Sequence, residues 1–264
     1  MIHTVNLNLD WKLVASLSAI DRFEGAWTAI EKRERQTLKQ LKSIATVRSV
    51  GASTRIEGSK MSDEEVKVLI ENLKSSRLED RDAQEVAGYY ETLNIIAESY
   101  RDISITENAI KSLHNTLMRH NEKDAWHRGN YKQMSNAVEA TNMLAGTKQI
   151  VFQPAPPGQE TEDAMWKLVE WYVQEKETHP IVRSAVFVYD FLSIHPFQDG
   201  NGRLSRLIAT LLLLKHGYSW IEFVSFEYEI EAKKAEYYQV LMECQGGRPG
   251  EDVYRWITFF QLPK

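Results

Sequence analysis

Ser193-Ile194-His195-Pro196-Phe197-Gln198-Asp199-Gly200-Asn201-Gly202-Arg203-Leu204-Ser205-Arg206 is the stretch on which both fold and chemistry turn. Ile181–Ile194 precedes it and is apolar at helical spacing, with Ala185, Val188, Tyr189 and Leu192 on one face. Leu207–Leu214 follows it and is almost wholly apolar. The pattern predicts two buried helices around a short polar turn. Pro196 closes the first helix, because its ring disfavours helical geometry in the preceding residue. Gly200 and Gly202 admit backbone conformations that side chains forbid. The N–H groups opening the second helix are unpaired and lie at its positive end, a ready site for an anion. Arg203 and Arg206 share one face of that helix and can each grip phosphate oxygens with two donors. Asp199 beside such a nest suits Mg2+, which takes one or two carboxylates plus phosphate oxygens and water. His195 can accept a proton near neutral pH. The residue types alone describe a site for a metal-bound polyphosphate with a general base beside it.

Residues 195–203 read HPFQDGNGR. This resembles, without departure, the HPFx(D/E)GNGR signature of Fic-domain proteins, and Arg206 matches the second arginine that follows it there. The resemblance implies an all-α fold, a Fic helical bundle with a small β-hairpin flap and an N-terminal helical segment. It implies a protein adenylyltransferase that moves AMP from ATP to a Tyr, Ser or Thr hydroxyl. By the same resemblance His195 removes the hydroxyl proton and Asp199 holds Mg2+. Gly200, Asn201, Gly202, Arg203, Leu204, Ser205 and Arg206 then bind the nucleotide, with the Asn201 side chain on the α- and β-phosphates and Arg206 on the γ-phosphate. Phe197 reads as a core anchor for the loop.

Upstream lies Val50-Gly51-Ala52-Ser53-Thr54-Arg55-Ile56-Glu57-Gly58. Ser53 and Glu57 are one helical turn apart, and Gly58 can end the helix. The stretch is similar to the (S/T)xxxE(G/N) inhibitory motif of the Fic family, in the class whose inhibitory helix precedes the core. That resemblance implies autoinhibition by Glu57.

The rest of the chain reads as helices with one interruption. Trp11 and Leu13 are candidate anchors in a mixed N-terminal stretch, residues 1–17. Phe23–Ser49 reads as one long, solvent-facing helix. Ser62 and Glu65 form a capping box ahead of Asp63–Leu73. Further helices are expected at Asp82–Tyr100, at Glu107–Arg119 capped by Thr106, and after Thr161 as a cap. His114 and His120 do not share a helix face and read as structural. The polar stretch Lys132–Val151, centred on Gly146 and ending in Ile150-Val151-Phe152, reads as a β-hairpin. The resemblance makes it the flap, about residues 132–153, whose strand edge holds a target protein through main-chain hydrogen bonds. Glu229–Glu243 and Asp252–Phe260 complete the helices. Tyr237, followed by Gln245, resembles the family's nucleotide-pocket segment; a tyrosine pair with Tyr238 in the core is the other reading of the same residues.

Composition bounds the rest. The chain has 264 residues, 43% of them hydrophobic, and a formal net charge of -5. It can bury a large core, and the acidic balance carries no excess that would mark a nucleic-acid-binding module. The single cysteine, Cys244, excludes an internal disulfide and points to a reducing compartment. No secretory signal or membrane-length apolar run is visible, so a cytoplasmic protein is expected. The expected division is an N-terminal helical segment, residues 1–105, and a Fic core, residues 106–264. Two other readings stay open. One is removal of AMP, or transfer of another phosphate-linked group, at the same site. The other is a regulatory protein that holds a nucleotide with little turnover. The target, self-modification and assembly as a homo-oligomer are open from the sequence.

Overall fold

A computed structural model describes residues 10–74, 78–136, 138–142, 147–248 and 250–260, with backbone alone at residues 35, 138–142 and 147–151. Residues 1–9 and the Gly146 turn lie outside the described residues. Among the described residues, eleven helices and one hairpin follow in order: α1 (Trp11–Arg33), α2 (Arg35–Ile56), α3 (Asp63–Glu71), α4 (Arg81–Ser99), α5 (Glu107–Leu117), β1 (Val138–Asn142), β2 (Thr147–Phe152), α6 (Gln159–Gln174), α7 (Pro180–Ile194), α8 (Asn201–Lys215), α9 (Phe226–Ala232), α10 (Lys234–Gly246) and α11 (Tyr254–Phe260). Short 3-10 turns lie at Glu122–Asp124 and Ser219–Phe223.

The two expected apolar helices form the centre. Pro180 opens α7 at a position where its missing N–H costs nothing, and the His179 ring accepts the Ile181 N–H. Every residue from Ile181 to Ile194 is buried, so α7 is shielded all round rather than on one stripe. It packs antiparallel to α8, and α2, α4, α5, α6 and α11 cover the pair. The expected caps at Ser62 and Thr106 are present, each accepting a backbone N–H of its helix. The hairpin pairs β1 and β2 antiparallel, with Glu139 opposite Ile150 and Asn142 opposite Thr147, and β2 runs beside α10.

Four local expectations need correction. Phe23–Ser49 is not one helix: the chain breaks at Glu34, with φ -108° and ψ 29°, between α1 and α2. Neither glycine nor proline marks that corner. Trp11 is 85% exposed and anchors nothing within the described residues, whereas Leu13 is buried as expected. Thr161 does not cap α6, which begins two residues earlier after Gly158 at φ 86°; the Thr161 hydroxyl is buried and donates to the Pro156 carbonyl. Glu229–Glu243 divides at Lys233 into α9 and α10.

Helices α4 and α5 meet closely at Gly88. A Cβ there would lie 2.0 Å from the Leu117 carbonyl oxygen, so only glycine permits this approach. Gly88→Ala is expected to cost about 2–3 kcal/mol through forced separation of the helices. For a chain of this size that lowers Tm by roughly 4–10 °C. An unchanged melting temperature would mean that the two backbones do not touch.

Candidate functional site

The turn between α7 and α8 is held from several sides. His195 caps α7 in the left-handed region, with φ 51° and ψ 58°, and among the described residues no other non-glycine has a positive φ. Its Nδ1 faces the Leu192 carbonyl at 3.3 Å. A carbonyl can only accept, so Nδ1 carries the proton and Nε2 keeps a free lone pair. Burial pushes the His195 pKa down to about 4, with Lys132 adding to the effect, so the imidazole is neutral at pH 7.

Phe197 is fully buried and pins the loop, as expected. Its ring stacks on His114 at 3.8 Å between centroids. His114 itself joins the loop to its surroundings: Nε2 donates to the Asp199 carbonyl (3.0 Å) while Nδ1 accepts the Gly129 N–H (2.8 Å). Burial pulls its pKa to about 4, which keeps this tautomer neutral. The Asn201 side chain, expected on the phosphates, instead closes the loop on itself. Its Oδ1 accepts from Phe197 N (2.9 Å) and its Nδ2 donates to Phe197 O (2.7 Å).

Helix α8 begins its ladder with Leu204 N–H to Gly200 O at 2.9 Å. The N–H groups of Asn201, Gly202 and Arg203 therefore precede the first intrahelical bond and form the anion nest. Leu204 is buried in the core, and the Ser205 hydroxyl turns back to Gly202 O (2.7 Å). These two residues build the helix, and neither side chain faces the nest. Asp199 Oδ1 accepts the Gly200 N–H (2.6 Å) and lies 3.5 Å from Arg203. Burial alone would raise the Asp199 pKa; Arg203, the Gly200 N–H and Arg81 outweigh it and hold the carboxyl below its ordinary range. Arg81 reaches Asp199 Oδ2 at 3.4 Å from a largely exposed side chain whose Nε donates to Glu85 (2.7 Å). Arg203 is buried and also faces Glu85 at 3.2 Å. Among the described residues no three His, Cys, Asp or Glu side chains cluster as a metal cage. One carboxylate at an anion nest fits a Mg2+ ion whose other ligands are phosphate oxygens and water.

Arg206, only 2% exposed, is taken by the N-terminal segment. Its Nε donates to Ser53 Oγ (2.7 Å), and its Nη2 donates to Ser53 O (3.0 Å) and Glu57 Oε1 (2.7 Å). Burial opposes the arginine's charge, and Glu57 outweighs it. Glu57 also lies against the nest: a Cβ on Gly202 would fall 2.3 Å from Glu57 Oε1. The end of α2 is itself fastened. Arg55 donates two bonds to Glu231 (2.7 and 2.9 Å) and one to Met61 O (3.0 Å), and it faces Asp63 at 2.9 Å. Residues 149 positions apart in sequence thus meet in one site.

Tyr237 is buried against Tyr238, Trp256 and Phe259. It lines a cavity of about 570 Å³ together with Ser205, Arg206, Ala209 and Phe226. Gln245 is buried and its Nε2 donates to Ser193 Oγ (3.1 Å), tying α10 to the end of α7. Tyr237 thus sits in an aromatic cluster that shares its cavity with Arg206, and Gln245 braces the last turn of α7.

Against known proteins, residues 104–213 match the Fic/DOC family. A protein adenylyltransferase Fic from Drosophila mojavensis is 27% identical over 206 residues, which is 76% of this chain and 38% of that protein. One from Drosophila erecta is 28% identical over 80% of this chain and 40% of its own length. The chain thus spans about two fifths of these curated relatives. Among solved structures, a Fic family protein from Desulfovibrio desulfuricans superposes with a TM-score of 0.78 at 25% identity, over 98% of this chain and 73% of that one. A Fic-domain signalling protein from Bacteroides thetaiotaomicron gives a TM-score of 0.74 at 22% identity, over 92% and 91%. The helical bundle is the Fic fold. No helix among the described residues is long and apolar enough to cross a membrane.

Proposed function

We propose that this chain, which carries a Fic/DOC domain at residues 104–213, transfers AMP from ATP to a protein hydroxyl of Tyr, Ser or Thr and is held back by Glu57. One observation carries the reading: a neutral histidine with a free Nε2 stands beside a helix N-terminus that also presents two buried arginines. In the reaction the acceptor oxygen bonds to the α-phosphorus and the bond to the β-phosphate bridging oxygen breaks. His195 Nε2 takes the hydroxyl proton, and pyrophosphate leaves. The N–H groups of Asn201, Gly202 and Arg203 bind phosphate oxygens, and Arg203 and Arg206 add charge. Asp199 would hold Mg2+, which supplies further neutralisation of the α- and β-phosphates. Most of the rate gain is positioning and charge stabilisation. Residues 1–105 act as the regulatory segment and 106–264 as the catalytic core. The hairpin offers target segments an unpaired strand edge.

Labelled ATP tests the reading. Label at the α-phosphate is expected to enter protein, and label at the γ-phosphate is not. Release of AMP from modified protein would favour the reverse reaction, and γ-label in protein would favour phosphate transfer. Tight nucleotide binding without label in protein, even when Glu57 is removed, would favour the regulatory holder.

Asp199 gives a separate prediction. Asp199→Ala is expected to lose transfer and to weaken Mg2+-ATP binding about tenfold or more, the worth of a charged contact. Asp199→Asn keeps an acceptor for the Gly200 N–H and separates metal loss from loop damage. Calorimetry showing equal Mg2+ dependence in parent and Asp199→Asn would remove Asp199 from the metal site.

A further inference from the structure

Lys132 and Asn136, at the foot of the hairpin, have no part in the chemistry proposed above, yet between them they bond one face of the turn. Lys132 is a lysine with 2% exposure. Its backbone N–H donates to Pro196 O (2.8 Å), and its Nζ donates to Ile194 O (3.1 Å) and Asn136 Oδ1 (2.8 Å). Asn136 Nδ2 donates in turn to His195 O (3.1 Å) and Phe197 O (2.8 Å). The four consecutive carbonyls of residues 194–197 therefore all accept from these two residues. Met134 N–H adds a bond to Gln198 Oε1 (3.3 Å).

The residue at the centre of this grip is His195, whose left-handed backbone is unfavourable for a side chain with a Cβ. Such a conformation persists only where the surroundings over-determine it. The Ile194 carbonyl also belongs to the buried last turn of α7, where the helix dipole favours a cation. Burial draws the Lys132 amine down to about 8, so it is still an ammonium at pH 7 with donors for both partners. The grip ends at residue 136, and β1 starts at Val138.

We infer that Lys132 and Asn136 are positioning residues that hold His195 in its left-handed conformation, aim its imidazole at the acceptor, and tie the hairpin to that aim. The inference rests on the reading of His195 as the base. Gripping carbonyls on both sides of one residue fixes its φ and ψ, and these fix the direction of Cα–Cβ. Without the grip His195 relaxes toward an ordinary backbone region and its ring moves. The phosphate nest is expected to follow less, because Asn201 and His114 hold that side of the turn with bonds that remain when Asn136 is lost. A strand added to the hairpin would pull on the same short connection. Target docking and aim of the base are therefore mechanically linked.

The test uses the full chain with Lys132→Met and, separately, Asn136→Ala. The first removes the Nζ donor at similar length, and the second removes the two Nδ2 donors. Displacement of the base by about an angstrom is expected to lower kcat roughly tenfold to a hundredfold, with the dissociation constant for ATP within about twofold. A merely structural role would lower kcat and raise the dissociation constant for ATP together. Ring nitrogen shifts of His195, recorded with labelled histidine, give a second readout that does not need turnover. The parent is expected to show the single Nδ1–H tautomer, and each variant a mixture. Parent-like tautomer and parent-like kcat in a folded variant would overturn the inference. Changed ring shifts in a chain whose parent transfers no AMP would uphold the positioning role while rejecting the proposed reaction. Should one variant unfold, the other carries the same readouts.

Discussion

Glu57→Gly is expected to raise AMP transfer by about a hundredfold, the scale of an angstrom of misplacement in a reacting group. The sign is the informative part, since loss of a catalytic or structural glutamate would lower the rate. In the parent, Arg206 faces Ser53 and Glu57 at the same time and Glu57 Oε1 lies over Gly202. On the proposed function, phosphate oxygens would need both of those places. With the carboxylate present, ATP would then be held by its adenosine end with its α-phosphate out of line. Once the carboxylate is gone, the guanidinium has one free side for phosphate and the nest is open. The same substitution has a cost. A buried charge that loses its partner destabilises by about 3–5 kcal/mol, reduced here because 29% of the Glu57 side chain is exposed and Ser53 stays bonded. The variant is therefore expected to melt earlier than the parent without nucleotide and to regain stability with ATP. Self-modification with α-labelled ATP, followed beside thermal melting, checks both. A folded variant with parent-level transfer would rule out inhibition by Glu57.

His195→Ala is expected to remove transfer, a loss of roughly a hundredfold to ten-thousandfold for a general base. ATP affinity is expected to stay within about twofold, because the imidazole meets the acceptor hydroxyl while α8 meets the phosphates. The double variant with Glu57→Gly is expected to be silent, which assigns the gain from Glu57 removal to this site. The pH profile adds an independent mark. Burial places the His195 pKa near 4, and the neutral ring is the active form. Glu57 raises that value, so the acid limb of kcat/KM in Glu57→Gly is expected no higher than about 4 and to be level through 6 and 7. A limb centred near 6.5 would describe a solvated imidazole and would break the assignment of a buried base.

The sequence disclosed what is local. His195, Asp199, Gly200, Gly202, Arg203 and Arg206 lie within twelve positions, and their chemistry is visible because helix spacing fixes how they face. Ser53 and Glu57 were legible through resemblance alone, since a serine and a glutamate one turn apart fit many helix ends. Lys132, Asn136 and His114 were not legible as parts of the site. Their partners are backbone carbonyls and N–H groups up to 85 positions away, and a backbone acceptor leaves no mark in residue type. Asn201 shows the converse. Its amide type suits phosphate and suits a loop closure equally, and only geometry decides between them. The break at Glu34 escaped because no glycine or proline marks it.

The close approach at Gly202 constrains how this protein can change over generations. Ser53 and Glu57 hold Arg206 through separate bonds, so a change at either one leaves the other bond in place. Residue 202 allows no such independence. Any side chain there enters the volume that Glu57 Oε1 occupies, within 2.3 Å, and the same volume is where phosphate oxygens would lie. A Cβ at residue 202 would push the Glu57 carboxylate aside and, on the function proposed above, take the place of a phosphate oxygen as well. On that proposal, restraint and reaction would change together at one position.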